Sequence, residues 1–307
     1  MPSSRPTQTT RSGRVALVGR PNVGKSTLLN ALLGEAIAIT SPHPQTTRST
    51  VRGLLTRGDT QYVLLDTPGL HPARTGLGRR MNEAARRAAE DADAIVFLVE
   101  APRGGAPPVP HSGDLTLLAE LPDRPRVLAI NKIDRLPDKA LLLPLIASYC
   151  ADRPFAATVP VSARRAQGID GLLDELRLTL PEQPPLCDPE TLSDQPVRFF
   201  VAEFVREQIL RHTRQEVPHG VAVVVEAFDE DGPAVHIEAT IHVAREAHKK
   251  IVIGAGGQML KRIGIAARAR IEGLLSRKVR LRLDVRATPG WMDNDARLLE
   301  LGYGGDP

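Results

Sequence analysis

Aromatic residues make up only 3% of this 307-residue chain, cysteine occurs twice, and no acidic residue precedes Glu35. Each scarcity excludes something. With so few rings, stacking platforms for nucleic-acid bases are scarce, so hydrogen bonds and groove fit would have to read bases instead. Cys150 and Cys187 stand in no metal-ligand spacing and offer no disulfide framework, which suits a reducing cytoplasm. No apolar run approaches the roughly 18–20 residues that span a bilayer. The N-terminus lacks the apolar core of a secretory signal. Residues 1–13, rich in Ser, Thr, Arg and Pro, read as a disordered tail.

What is present is ordinary for a globular protein: 42% hydrophobic and 25% charged residues, at a length that suits two domains. The formal net charge is +4, and its distribution is uneven. Residues 1–180 hold 23 basic and 17 acidic side chains, whereas 181–307 hold 17 and 19. Within that second part, 245–286 holds 12 basic and only 3 acidic residues. A basic concentration of this kind marks where an anionic partner would dock.

Short apolar runs alternate with longer amphipathic stretches from residue 14 onward. The runs at 15–18, 62–65, 94–99, 127–130 and 158–161 have the texture of strands buried on both faces. Helices are expected at 25–33, 79–90, 114–121, 139–149 and 169–180. This alternation predicts a doubly wound α/β domain with a mainly parallel sheet over residues 14–180. Residues 102–112, rich in Gly and Pro, read as an exposed loop. Five prolines within 181–196 predict a semi-rigid linker. A smaller α+β domain is expected over 197–290: a helix at 198–212, strands at 222–228 and 235–243, a basic helix-loop-helix region at 246–275, and a last strand. In that strand Val279, Leu281, Leu283 and Val285 face one way. Residues 291–307 form a C-terminal tail.

The first strand leads directly into Gly19-Arg20-Pro21-Asn22-Val23-Gly24-Lys25-Ser26-Thr27. This is G-x-x-x-x-G-K-[ST] in its strand-loop-helix setting, a phosphate loop. Glycines let consecutive N–H groups point at phosphate oxygens, and the following helix N-terminus adds positive dipole. Lys25 would reach the β- and γ-phosphates, and the Ser26 hydroxyl would ligate Mg²⁺. Asp66-Thr67-Pro68-Gly69 ends a buried strand about forty residues later. Its carboxylate suits Mg²⁺, and the Gly69 N–H suits a γ-phosphate sensor. Asn131-Lys132-Ile133-Asp134 closes another strand. Asp134 would accept from N1–H and the 2-amino group of guanine, a pairing adenine cannot offer, while Asn131 and Lys132 brace base and loop. Ser162-Ala163 follows the last strand and would donate a backbone N–H to the guanine oxygen. The nucleotide expected is therefore GTP or GDP. Leu70 stands beside Gly69, where many GTPases carry a glutamine that orients the attacking water. An aliphatic side chain cannot do so.

These motifs, in this order, resemble the translation-factor-like GTPases of the Era family. The resemblance implies a P-loop GTPase domain in which one of Thr46 or Thr47, in Pro44-Gln45-Thr46-Thr47-Arg48, ligates Mg²⁺ when GTP is bound. Spacing leaves the choice open. It also implies that Asn22 supports a bound K⁺ in place of an arginine finger, against the plainer reading that Asn22 packs the loop. Slow intrinsic turnover, faster in K⁺ than in Na⁺, would follow.

The segment from Ile251 to Gly264 resembles the core of a KH domain, with Gly254-Ala255-Gly256-Gly257 as its G-x-x-G between two helices. Glycines there let a nucleic-acid backbone approach closely, and Lys249, Lys250, Lys261 and Arg262 flank the loop beside Ile253. The helix-strand-strand-helix-helix-strand order matches the bacterial, type II KH fold. Ala255 and Gly256 carry no charge, so phosphate affinity rests on backbone N–H groups and the basic flanks. The basic face of the last strand reads as a solvated surface. For the Era family the implied partners are the 3′ end of 16S ribosomal RNA, the assembling 30S subunit and, peripherally, the inner face of the cell membrane; a monomer is expected. The leading reading is a GTP-hydrolysing switch that aids small-subunit assembly. The alternatives are an RNA-binding scaffold with GTP as a structural ligand, or a tRNA-modification-related GTPase.

Overall fold

The computed structural model describes residues 11–303, apart from 42, 44, 103–108, 137, 152–153 and 214–216. Its first elements run in the order β1 (Arg11–Val18), α1 (Lys25–Leu33), β2 (Val51–Arg57), β3 (Thr60–Asp66), α2 (Gly76–Glu90), β4 (Ala94–Glu100) and α3 (Ser112–Glu120). Then come β5 (Arg126–Asn131), α4 (Leu142–Cys150), β6 (Ala157–Pro160) and α5 (Ile169–Thr179). The six strands form one sheet in the order β2-β3-β1-β4-β5-β6. Every neighbour pair is parallel except β2 with β3. On one face Val18, Phe97, Leu118, Leu128, Ile130 and Leu145 form a buried cluster. Leu28 and Leu29 of α1 and Leu172 and Leu176 of α5 are likewise buried.

The chain leaves β1 toward β3 on one side and returns to β4 on the other. That reversal opens a crevice at the carboxyl ends of the strands, where sheets of this kind bind ligands. All four nucleotide motifs follow carboxyl ends: Gly19 after β1, Thr67 after β3, Asn131 at the end of β5 and Ser162 after β6.

The chain falls into two compact units. One comprises β1 through Ala38, then Thr47–Pro72 and Met81–Asp194. The other gathers Ile39–Thr46, Ala73–Arg80 and the chain from Gln195 onward. Its elements are α6 (Val197–His212), β7 (Val221–Asp229), β8 (Ala234–Val243), α7 (Glu246–Ile253), α8 (Gln258–Leu275), β9 (Lys278–Ala287) and α9 (Asp295–Glu300). β7 pairs antiparallel with β8, and β8 parallel with β9. Val205, Ile209, Ile241, Val252 and Ile263 lie in the core under that sheet.

Four expectations need correction. The tail predicted to residue 13 ends sooner, because Arg11 to Gly13 pair in parallel with Thr60 to Tyr62 of β3; residues 1–10 lie outside the described residues. The strand β2 was not expected at all. The prolines after residue 180 do not make a spacer: that segment straps the first unit. The Gln61 side chain accepts from the N–H of Leu186 (2.7 Å) and Cys187 (3.0 Å) and donates to the Cys187 carbonyl (2.8 Å). The Leu54 N–H on edge strand β2 donates to the Leu192 carbonyl at 2.8 Å, which covers an edge otherwise open to pairing. Nor is the stretch from 291 a loose tail. Trp291 is fully buried and stacks on Tyr303 at 5.7 Å, and α9 buries Leu298. Among the described residues no helix is long and apolar enough to cross a membrane.

Candidate functional site

The phosphate loop turns on two glycines. A Cβ at Gly19 would lie 2.3 Å from the Leu98 carbonyl oxygen, so only glycine lets the loop pass β4. Gly24 has φ of 108° and precedes α1 with no side-chain cap, leaving the helix N-terminal N–H groups open toward an anion. The Lys25 ammonium folds back within the loop and donates to the carbonyls of Gly19 (2.9 Å) and Arg20 (3.2 Å). Burial pushes its pKa down to about 8, opposed in part by the Asp66 charge. Gly69 packs on the loop so closely that a Cβ would sit 2.9 Å from the Pro21 backbone.

Three oxygen donors meet beside Lys25. The Ser26 hydroxyl donates to Asp66 Oδ2 at 2.6 Å and pairs with Thr47 Oγ1 at 2.8 Å, and Thr47 Oγ1 donates to the same Oδ2 at 3.1 Å. Thr46 is held elsewhere: its hydroxyl pairs with Ser41 Oγ at 2.8 Å and donates to the His43 carbonyl at 2.7 Å. In the second unit, Arg206 donates to the Thr46 carbonyl at 2.5 Å and Glu207 accepts from the Thr40 N–H at 3.1 Å. Adjacent threonines therefore belong to different units. The hydroxyl and carboxylate oxygens of Ser26, Thr47 and Asp66 are hard donors, the chemistry Mg²⁺ takes. The residues present fit that ion.

On the base side, the Asn131 amide donates to the Val23 carbonyl at 2.8 Å, while its Oδ1 accepts from the N–H of Lys132 (2.8 Å) and Ala163 (3.0 Å). Lys132 donates to the Asn22 carbonyl at 2.6 Å and pairs with Glu100 at 3.0 Å. The Ser162 hydroxyl donates to Asp134 at 2.6 Å, and that bond above all holds the Asp134 carboxyl below the usual carboxylate range. The Asp134 carboxylate is thus ionised and fixed by Ser162. The Ser162 N–H donates to the Gln167 carbonyl and the Ala163 N–H to Asn131 Oδ1, each at 3.0 Å. The Leu70 side chain is buried in the apolar cluster with Val18 and Phe97. Thr67 is structural as well, donating to the Leu17 carbonyl at 2.7 Å. Asn22 is solvent-exposed at φ of 64°, a conformation asparagine tolerates better than most residues.

In the second unit Gly254 ends α7 with φ of 72°, and a Cβ there would meet Met259 Cβ at 2.6 Å. Gly256 and Gly257 also take positive φ, and space beside both is open. Lys250, Lys261 and Arg262 are exposed, Lys249 is half-buried, and Ile253 packs on the core. A groove of about 380 Å³ continues from the loop along α8, lined by Leu260, Lys261, Gly264, Ile265, Arg268, Leu281 and Leu283. Most of these were missed in the sequence. The alternation of β9 was their only signal, since it turns Leu281 and Leu283 toward α8.

A phosphate loop braced by Asn131 and Lys132, in one chain with a G-x-x-G groove, fits a KH-containing P-loop GTPase. Two family models match: 50S ribosome-binding GTPase over residues 14–132 and KH domain over 216–291. GTPase Era of Lacticaseibacillus paracasei is 48% identical across 95% of this chain and 96% of its own. GTPase Era of Geotalea uraniireducens is 48% identical across 95% and 98%. The chain belongs to the GTPase Era family. Among solved structures, a variant of Aquifex aeolicus Era bound to GDP·AlF4⁻ is 36% identical with a TM-score of 0.90, covering 96% of this chain and all of that one. Era in complex with MgGDPNP and nucleotides 1506–1542 of 16S ribosomal RNA is also 36% identical, with a TM-score of 0.91 and the same coverage.

Proposed function

We propose that this chain is a GTP-hydrolysing switch that binds the 3′ end of 16S ribosomal RNA and assists assembly of the 30S subunit in the cytoplasm. The observation that carries the reading is the meeting of Ser26, Thr47 and Asp66 oxygens beside Lys25. The solved relative that holds MgGDPNP together with 16S RNA supports both partners. Residues 19–27 cradle the phosphates through backbone N–H groups, and Lys25 turns from its loop carbonyls to the β- and γ-oxygens. Ser26, Thr47 and Asp66 hold Mg²⁺, directly or through water; Thr46 does not. When bound, the ion neutralises charge on the phosphates. Asp134 selects guanine. The Gly69 N–H, pressed against Pro21, senses the γ-phosphate. With Leu70 turned into the core, no side chain directly after the D-x-x-G motif orients water, and exposed Asn22 supports K⁺ at the phosphates instead.

Release of the γ-phosphate frees Thr47 from its cluster, and the change passes through the adjacent Thr46 to contacts with Arg206. RNA lies along the loop 254–257 and the α8–β9 groove. The test is phosphate release by the full chain in K⁺ and in Na⁺ at matched ionic strength, with and without an RNA of the 16S 3′ sequence. The reading expects faster turnover with that RNA than with a scrambled one, and a K⁺ preference that Asn22→Ala abolishes. Turnover indifferent to RNA would instead fit a scaffold that keeps GTP as a structural ligand.

A further inference from the structure

We propose that Asp114 and Tyr149, which lie outside every nucleotide motif, are positioning residues for the phosphate loop and act through Arg20. The proposal rests on the reading of 19–27 as the phosphate cradle. Arg20 holds the second position of that loop, yet its guanidinium is committed elsewhere. Nε meets Asp114 Oδ1 at 2.6 Å and Nη2 meets Oδ2 at 3.1 Å, a two-pronged fork. Asp114, in the first turn of α3, is only 1% exposed. Its Oδ2 also accepts from the Tyr149 hydroxyl on α4 at 2.9 Å. Burial and the Asp114 charge both push that hydroxyl's pKa up, so it remains a donor throughout the physiological range.

At its other end, Arg20 offers its main-chain carbonyl to Lys25, with the Gly19 carbonyl beside it. One residue therefore ties the peptide that aims Lys25 to a fixed point on α3. The route is sterically kept open. A Cβ at Gly113 would lie 3.0 Å from Arg20 Cδ, so a side chain there would crowd the arginine stem. Stability alone does not account for the arrangement. Leu117 and Leu118 of α3 and Leu145 of α4 already pack in the apolar cluster, and a buried ion pair is a weak source of net stability. What the fork adds is direction. A lysine at position 20 would keep the charge and lose the planar two-point geometry.

The experiment measures dissociation of a fluorescent GDP analogue and steady-state GTP turnover on the full chain carrying R20K, D114N, Y149F or G113A. R20K and D114N are expected to speed GDP release about tenfold, and Y149F about threefold, with kcat/KM falling in step. The double variant R20K/D114N is expected to match the singles, because both remove one unit. Should D114N fail to fold, Y149F and G113A carry the test, since neither leaves a buried charge without a partner. Wild-type release rates in Y149F, G113A and D114N, with only the melting temperature lowered, would overturn the proposal, as would additive losses in the double variant. If the unmodified chain bound no GDP, the nucleotide reading itself would fail, which is a separate result.

Discussion

Deleting one methyl-bearing hydroxyl separates two neighbours that the sequence leaves equivalent. Thr47 is only 7% exposed, and Thr47→Ala removes an Oγ1 that bonds both Ser26 and the Asp66 carboxylate, at 2.8 and 3.1 Å. A hydrogen bond to a charged partner contributes about 1.5–3 kcal/mol, and about 1.4 kcal/mol is a factor of ten. Thr47→Ala should therefore lower kcat/KM for GTP by roughly 10- to 150-fold. It should also raise the Mg²⁺ concentration needed for half-maximal rate, since one of three oxygen donors is gone. Thr46→Ala loses only neutral partners, Ser41 and the His43 carbonyl, outside the oxygen cluster. It should stay within about threefold of the unmodified chain, with its Mg²⁺ dependence unshifted. The assay is phosphate release across a Mg²⁺ titration. A Thr46→Ala defect equal to that of Thr47→Ala would refute the assignment.

Three further outcomes follow from the same geometry. Asp134→Asn replaces an ionised acceptor by a group that donates as well, so GTP affinity should fall by about 10²- to 10⁴-fold and ATP should become a competitor; competition assays with an unchanged base preference would contradict this. Lys25, lowered to about 8 by burial, must be charged to hold phosphate, and the arriving anion raises its pKa again. GDP binding should thus be flat in pH below that value and weaken as pH rises through it, by up to about tenfold per unit; calorimetry showing constant affinity there would contradict it. Gly256 has open space for a Cβ but takes φ of 57°, where a side chain is strained, so Gly256→Asp should still fold, with a modestly lowered melting temperature. Its carboxylate would meet RNA phosphates, and RNA affinity measured by anisotropy should fall at least about tenfold.

Local pattern was enough for the inner strands and their helices. β4 reads as an unbroken apolar run because helices cover both its faces, and α1 begins where the glycine-rich loop ends. The edge strand β2 was invisible for the opposite reason: Arg52, Gly53 and Arg57 break its run, and its partners are β3 on one side and the Leu192 carbonyl on the other. The proline strap depends on Gln61, more than 120 residues away in sequence, and no local signal announces such a bond. Trp291 stands in a polar stretch, and its burial and its stack on Tyr303 show that residues 291–303 pack into the fold. At the nucleotide site the motifs located the backbone but not the side-chain geometry. The choice between Thr46 and Thr47, the engagement of Ala163 by Asn131 and the inward turn of Leu70 all depend on packing between distant segments.

The most direct measurement is the affinity of the full chain for the 16S 3′-end RNA when loaded with a non-hydrolysable GTP analogue, compared with GDP. A switch must bind that RNA differently in the two states, by about tenfold or more if the two switch threonines transmit the change. Equal affinities would contradict the account, whatever the rate of hydrolysis.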